Sequence, residues 1–144
     1  MTDSVIPAFP DVEKCIGALL RPLVTHDAHI GNFVILDYDQ QIEEQDTPFI
    51  EIHRRGGPKD LATFTDWPVV EVSCWGKSRA VAQETMDGIV RLLLLDNIDG
   101  HFMAGDGFFD SVEDVTGSEE VETQNPDDRC VSMTVQLSCR PMYD

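Results

Sequence analysis

The stretch "PVVEVSCWGKSRAVAQETMDGIVRLLLLDN", residues 68–97, holds the clearest strand and the clearest helix of the sequence. In its first part, Val70, Val72 and Cys74 occupy alternate positions, which predicts a strand with one apolar face. In its second part, Ser78 is a good N-cap, and the apolar residues after it recur at helical spacing. This helical stripe consists of Ala82, Met86, Ile89 and Leu93.

The segments on either side predict one more helix and several strands. Pro22 is expected to end or kink an N-terminal helix at roughly 10–22. Strand patterns occur at 32–39, 48–55, 108–115 and 129–141. We therefore predict an α+β fold, with a mostly antiparallel sheet of about four to five strands and two helices packed on one face.

The whole chain, residues 1–144, is expected to form a single domain, because one domain is the usual outcome at this length. Within it, 105–128 is predicted to form an acidic strand followed by a mobile loop. The loop part, 117–128, is polar and contains an Asn-Pro turn signal.

The charge of the chain excludes several function classes. A net charge of −17, from 27 acidic and 10 basic residues, argues against wrapping nucleic acid or adsorbing to an anionic membrane.

The first residues have no basic segment followed by an apolar one, so no secretory signal is expected. The longest apolar run is too short to span a bilayer. We expect a soluble protein made in the cytoplasm.

Catalytic patterns are weak in this sequence. Asp37 and Asp39 can serve acid–base catalysis or bind Mg²⁺, but carboxylates in an acidic loop are usually solvated. His53 can be a general base oriented by Glu51, but no motif places a Ser or Cys nucleophile beside it. We therefore expect no catalytic residues and no cofactor.

Metal binding is not indicated by the cysteines. None of the four lies in a zinc-site spacing, and reduced structural thiols are expected: Cys15, Cys74, Cys130 and Cys139. A metal site would need His26 or His29, and it stays open only as an alternative.

The turn "HRRGGPKD", residues 53–60, concentrates scarce positive charge. Arg54, Arg55 and Lys59 can bind a phosphate or a nucleotide, although the turn fits no phosphate-binding motif. They can equally pair with carboxylates of another subunit. Trp75 lies on the strand face opposite Val70, and we consider both an interface role and coverage by a loop.

Three stretches together carry a family resemblance: "TPFIEIHRRGG" (47–57), "DWPVVEVSCWGKSRAVAQETMDGIVRLLL" (66–94) and "RCVSMTVQLSCR" (129–140). A Pro-led strand ends in an Arg/Gly turn, and an Asp precedes a Val-rich strand that ends in Trp-Gly. An Ala-containing helix follows, and the last strand opens on Arg129 and closes on Arg140. In this order they resemble the tail terminator proteins of long-tailed, non-contractile bacteriophages, over most of residues 9–140.

The resemblance implies a structural virion protein of the tail neck and no catalysis. Such proteins form a hexameric ring that caps the tail tube, stops its polymerisation and receives the head-side connector, while DNA passes through the lumen. The implied partners are therefore other copies, the tube protein and the connector protein. Assembly would take place in the host cytoplasm.

The residues that we expect at subunit or partner interfaces are Arg54, Arg55, Lys59, Trp75 and Arg129. An acidic lumen would let DNA pass without binding it. Two alternatives stay open, namely another neck protein such as a head–tail connector or head-closure component, and a small cytosolic enzyme or nucleotide-binding domain.

Overall fold

The computed structural model describes residues 9–32, 48–76, 78–97, 101–105, 107–121 and 129–140. Its helices are α1 (Val12–Leu20) and α2 (Arg79–Leu93), with short 3-10 helices at Arg21–Leu23, Asp27–His29 and Leu95–Asn97. Its strands are β1 (Ile30–Gly31), β2 (Phe49–Arg54), β3 (Lys59–Asp60), β4 (Thr65–Asp66), β5 (Val69–Gly76), β6 (Phe102–Ala104), β7 (Gly107–Val121) and β8 (Arg129–Arg140). The strand predicted at 32–39 lies, apart from its first residue, outside the described residues, and so does 122–128.

The strand β5 is at the centre of the sheet. It pairs antiparallel with β2 on one side and with β8 on the other, so that Val72 lies opposite both Ile52 and Met133. The far edge of β8 pairs with β7, and β7 pairs with β6, while β1 adds in parallel beside β2. The small β3–β4 hairpin joins β8 through the pair Asp66–Cys139, past the end of β5.

The predicted α+β class with a mostly antiparallel sheet is confirmed. The main strand order is β1-β2-β5-β8-β7-β6, which is six strands where about four to five were expected. The additional edge strands β1 and β6 have only two and three residues. Strands of that length show no periodic pattern that a sequence reading can detect.

Both helices pack on one face of the sheet, as predicted. Val70, Val72 and Cys74 of β5 are completely buried beneath them. The helices contribute their own apolar stripes to the same cluster: Val12, Cys15, Ile16 and Leu20 from α1, and Ala82, Met86, Ile89 and Leu93 from α2. The single domain over 1–144 stays a prediction.

Side-chain caps fix where the helices begin. Asp11 accepts hydrogen bonds from the backbone amides of Glu13 and Lys14, at 3.1 and 3.3 Å, so α1 begins at Val12 rather than near residue 10. It ends at Leu20, ahead of Pro22, as predicted. The predicted cap of α2 is also present, because Ser78 Oγ accepts from the Val81 amide at 3.3 Å.

The acidic strand β7 is longer than the sequence pattern indicates. It continues from Gly107 to Val121, so 117–121 is paired strand where a loop was expected. The pairing with β8 is interrupted by three register shifts, which is how an antiparallel pair accommodates extra residues and curls. The backbone of β8, rather than an apolar side-chain pattern, therefore determines this extension.

Candidate interaction surface

The basic turn after β2 is held together by Arg54. Its guanidinium donates two hydrogen bonds of 2.7 Å to the carboxylate of Asp66, which is completely buried in β4. It also donates to the carbonyl oxygens of Gly56 and Gly57, at 3.0 and 3.1 Å. The hydrogen bonds to Asp66, ahead of their mutual charge attraction, raise the pKa of Arg54 above its usual value. Arg54 is therefore engaged within its own subunit and shapes the turn.

The other two cations of the turn remain at the surface. Arg55 is exposed and donates to Glu71 Oε1 at 2.8 and 3.2 Å, an exposed pair of the kind that contributes little to stability. Lys59 Nζ lies 3.8 Å from Asp66 Oδ1 and 5.6 Å from the centre of the Phe9 ring. Both side chains are exposed and can turn toward a carboxylate on another molecule, although Lys59 would then leave its 3.8 Å contact with the buried Asp66 carboxylate.

Residues 55–68 form a projecting hairpin, which we call the arm. Every residue from 55 to 64 is exposed. The arm also carries large apolar side chains at the surface, since Leu61 is 69%, Phe64 50% and Trp67 39% exposed. These are three of the six large hydrophobic residues that are exposed in the described part of the chain. Such a cluster on a projecting element is typical of an interaction surface.

The tip of the arm has a fixed shape. Asp60 Oδ1 accepts from the amides of Ala62 and Thr63 at 3.0 and 3.4 Å, and the hydroxyl groups of Thr63 and Thr65 are 3.1 Å apart. Phe64 has a φ of 50°, a left-handed conformation that is unusual for a non-glycine residue. Since local hydrogen bonds hold this conformation, a partner that binds the tip does not have to order it first.

The base of the arm depends on one glycine. Gly57 has a φ of 101°, and a Cβ atom there would lie 2.0 Å from the carbonyl oxygen of Trp67. This close approach goes with the hydrogen bond from the Trp67 amide to Pro58 O, at 2.9 Å. The arm therefore closes back on itself before the chain enters β5.

Trp75 lies on the sheet face away from the helices, as expected, but it is only partly exposed. Its indole N–H donates to Glu51 Oε2 at 2.6 Å, and Glu51 is itself buried. His53 Nε2 lies 3.7 Å from the other oxygen of Glu51. The polar face of the sheet is thus more buried near Trp75 than the alternating pattern suggested.

This group does not have the chemistry of a nucleophilic site. Cys130 lies opposite Trp75 in the β5–β8 pairing, and burial raises the pKa of its thiol well above the ordinary value. A thiol in this state is not a thiolate nucleophile at neutral pH. In the described ranges, no three His, Cys, Asp or Glu side chains are grouped as metal ligands.

The structure divides the predicted interface residues between two ends of β5. Arg54, Arg55 and Lys59 lie together near the start of β5, where the arm leaves the sheet. Trp75 and the backbone of Arg129 lie at the other end, and the Arg129 side chain is not among the described atoms. Whether these residues contact partners stays a prediction.

The sequence reading missed the residues that define the arm. The sequence patterns singled out neither Leu61 nor Phe64, although large apolar residues in an exposed polar turn are a signal of their own. Asp66 appeared in the family pattern only as the Asp before the Val-rich strand, without a role of its own, because an acidic residue next to a turn is usually solvated. Only the placement of Arg54 across the hairpin reveals that Asp66 is buried.

Comparison with known proteins agrees with a structural role. None of the helices in the described segments is long and apolar enough to cross a membrane. No curated protein matches the sequence. Residues 8–144 match the family described as phage tail termination protein. Because this match covers nearly the whole chain, the protein belongs to the phage tail termination family and is a structural, non-enzymatic component of a bacteriophage tail.

Proposed function

We propose that this chain assembles into a closed ring, with six copies as the expected number, which binds the last ring of tube protein and ends tube polymerisation. The opposite face of the ring then receives the head-side connector. The role in tail termination follows from membership of the phage tail termination family. The observation that carries ring assembly is the preorganised arm, with its exposed apolar residues and two surface cations.

A ring requires a heterologous contact, in which one patch of a subunit meets a different patch of its neighbour. The arm fits one side of such a contact because it lies at a single end of the sheet, next to the start of β5. In this proposal Arg54 acts by holding the arm in shape, and Arg55 and Lys59 meet carboxylates of the neighbour. Trp75 and Arg129 belong to the other end of β5, toward the second neighbour.

Strong like charge makes local complementarity necessary. Each copy carries a net charge of −17, so the copies repel one another at a distance. The basic arm residues provide attraction where two copies touch, and apolar burial provides most of the binding free energy. This balance predicts that ring formation becomes stronger as salt screens the long-range repulsion.

The same acidity suits the passage of DNA. Phosphate contacts with Lys or Arg would hold the genome in the lumen, whereas an acidic lumen gives no such contacts. We therefore propose that DNA crosses the ring without specific binding. The protein's place would be the neck of the virion, between the tube protein and the connector protein.

Tube assembly in vitro tests this function. Purified tube protein is allowed to polymerise with and without the chain, and tube lengths are measured by electron microscopy. The proposal predicts shorter tubes, each with one capped end that no longer grows when fresh tube protein is added. Light scattering of the chain alone should show a ring-sized species. Tubes that keep growing at both ends, together with a monomeric chain, would contradict the proposal.

A further inference from the structure

We propose that the tip of the arm, Leu61 and Phe64, inserts into a cavity beside α2 of a neighbouring copy. The cavity has a volume of about 600 Å³ and is open to solvent. This inference rests on the proposed ring, and it names the two surfaces that build the ring. The occupant of the cavity is therefore a second copy of this chain.

The cavity is lined by apolar surface and by charged side chains of net negative charge, two acids and one base. Leu23, Val81 and Gly88 supply apolar surface. Glu84 and Asp87 are exposed residues of α2. The remaining lining residues are Pro48, Thr85 and Arg91. Cavities of about 300–1,000 Å³ are the size that binds drug-sized ligands, so this one can accept large apolar side chains.

Gly88 helps to keep the cavity open. A Cβ atom at this position would lie 2.9 Å from Leu23 Cδ2, so a larger residue would push Leu23 or fill the space. Glycine in the middle of a helix is destabilising relative to alanine. Its presence in α2 therefore has a packing reason, which is the close approach of Leu23.

The cavity and the arm lie at opposite ends of the sheet. Pro48 of the cavity precedes Phe49, which pairs with Trp75 near the end of β5, and Val81 lies against Gly76. The arm instead joins the start of β5. An eight-residue strand is roughly 23 Å long from first to last Cα, at about 3.3 Å per residue. An arm therefore reaches a cavity of this kind on another copy and not on its own.

The charges of the two surfaces are complementary. Arg55, Lys59 and Asp60 are the exposed charges of the arm, with a net positive charge, and Glu84, Asp87 and Arg91 are those of the cavity, with a net negative charge. Since the rest of the chain is strongly acidic, this negative charge alone would repel most of a neighbouring copy. The arm brings an exposed positive patch, so it is the part of a second copy that the cavity attracts.

A second cavity, of about 440 Å³, is less suitable as the receiving site. Its lining includes Glu13 and Ile30, beside α1. Glu13 accepts a hydrogen bond from the backbone amide of Arg54 at 2.9 Å, so this cavity lies next to the base of the arm on the same copy. Its lining also includes the bases Lys14 and Arg21, so it attracts the basic arm less than the first cavity does.

Disulfide cross-linking tests the pairing directly. The chain with Ala62→Cys and Glu84→Cys together, oxidised after assembly, should give a ladder of covalent oligomers that ends at the closed ring. A mixture of the two single variants should give covalent dimers only. The native cysteines do not interfere, because all four are buried. The matched control replaces Glu84→Cys by Ala18→Cys, an exposed helix position at the second cavity.

The outcomes distinguish a failure of the arm–cavity pairing from a failure of the proposed function in tail termination. A ladder from the Ala18 pair, or no ladder from the Glu84 pair while light scattering shows intact rings, overturns the pairing and leaves tail termination standing. Phe64→Ser should weaken association between copies by about tenfold or more, as loss of a buried aromatic anchor does. If Phe64→Ser rings form normally but fail to cap tubes, the arm binds the tube and the proposal is wrong. Circular dichroism checks that each variant is folded, and Leu61→Ser is the second test of the tip.

Discussion

Replacing Asp66 by Asn is the most informative test of how the arm is held. The Asp66 side chain is completely buried and receives two 2.7 Å hydrogen bonds from Arg54. Asn keeps the size of the side chain and one acceptor oxygen, but it removes the negative charge. Its NH2 group, a donor, takes the place of the second acceptor oxygen and faces the N–H donors of Arg54. Arg54 would then be left partly buried without its counter-ion.

The size of the effect follows from the burial of the pair. Removing one partner of a buried ion pair destabilises a protein by about 3–5 kcal/mol. The Arg54 side chain remains 24% exposed, so water can compensate part of this loss. We therefore expect a reduction of about 3 kcal/mol in the free energy of unfolding. For a chain of this size that corresponds to a fall in melting temperature of roughly 9 °C.

The chain contains a matched control on its surface. Asp110 accepts two hydrogen bonds from Arg140, at 2.9 and 2.7 Å, so the geometry resembles the Arg54–Asp66 pair. This second pair is exposed, and Asp110→Asn should therefore change stability by less than about 1 kcal/mol. Urea unfolding followed by circular dichroism, at one low protein concentration for all variants, measures both changes. Equal losses for the two variants would refute the argument from burial.

Three further predictions concern the base of the arm, the thiols and the polar face. Gly57→Ala should destabilise the protein by at least about 2 kcal/mol and disorder the arm, because a Cβ at this position meets Trp67 O. Gly56→Ala should reduce the free energy of unfolding by only about 1 kcal/mol, because a Cβ there meets no atom within 4 Å. Hydrogen exchange of the arm amides and urea unfolding compare the two variants. The four native thiols should react with a maleimide at pH 8 only after unfolding, because all four are buried. Burial also raises the pKa of Cys74 and of Cys139 to about 12. Fast labelling of the native protein would contradict this prediction. Trp75→Phe should cost about 1–2 kcal/mol because it removes a donor from buried Glu51, and an unchanged urea midpoint would show that this hydrogen bond is unimportant.

The parts of the fold with regular periodicity could be predicted from the sequence. In β5 and α2 the apolar spacing, the Ser78 cap and the buried stripe all indicate the same structure. Pro22 predicted the end of α1, and the alternation of apolar and polar residues predicted β8. In each case a local pattern and the tertiary packing agree, which is why a reading of the sequence alone succeeds there.

Elements held by side-chain hydrogen bonds could not be predicted in the same way. The arm has two-residue strands, too short to show alternation, and its tip depends on Asp60 and on a left-handed Phe64. The burial of Asp66 depends on Arg54, twelve residues away in the sequence. Likewise, 117–121 is strand because β8 offers backbone partners, and its own polar side chains give no indication of this.

For the interface, the sequence identified the basic turn but not the role of each residue in it. Three closely spaced cations looked alike as candidates. Only the structure separates Arg54, which is engaged internally, from Arg55 and Lys59, which face solvent. The apolar tip beside them became visible only when the hairpin placed Leu61 and Phe64 on one projecting element.

Electron microscopy of tail tubes mixed with the purified protein tests ring formation and tube capping in one measurement. The ring proposal predicts a six-fold ring bound to one end of each tube, in wild type and in Asp110→Asn. It also predicts fewer capped tube ends with Phe64→Ser at the same protein concentration, because the copies associate more weakly. Protein bound along the tube wall, or single copies at the tube ends without a ring, would contradict the account.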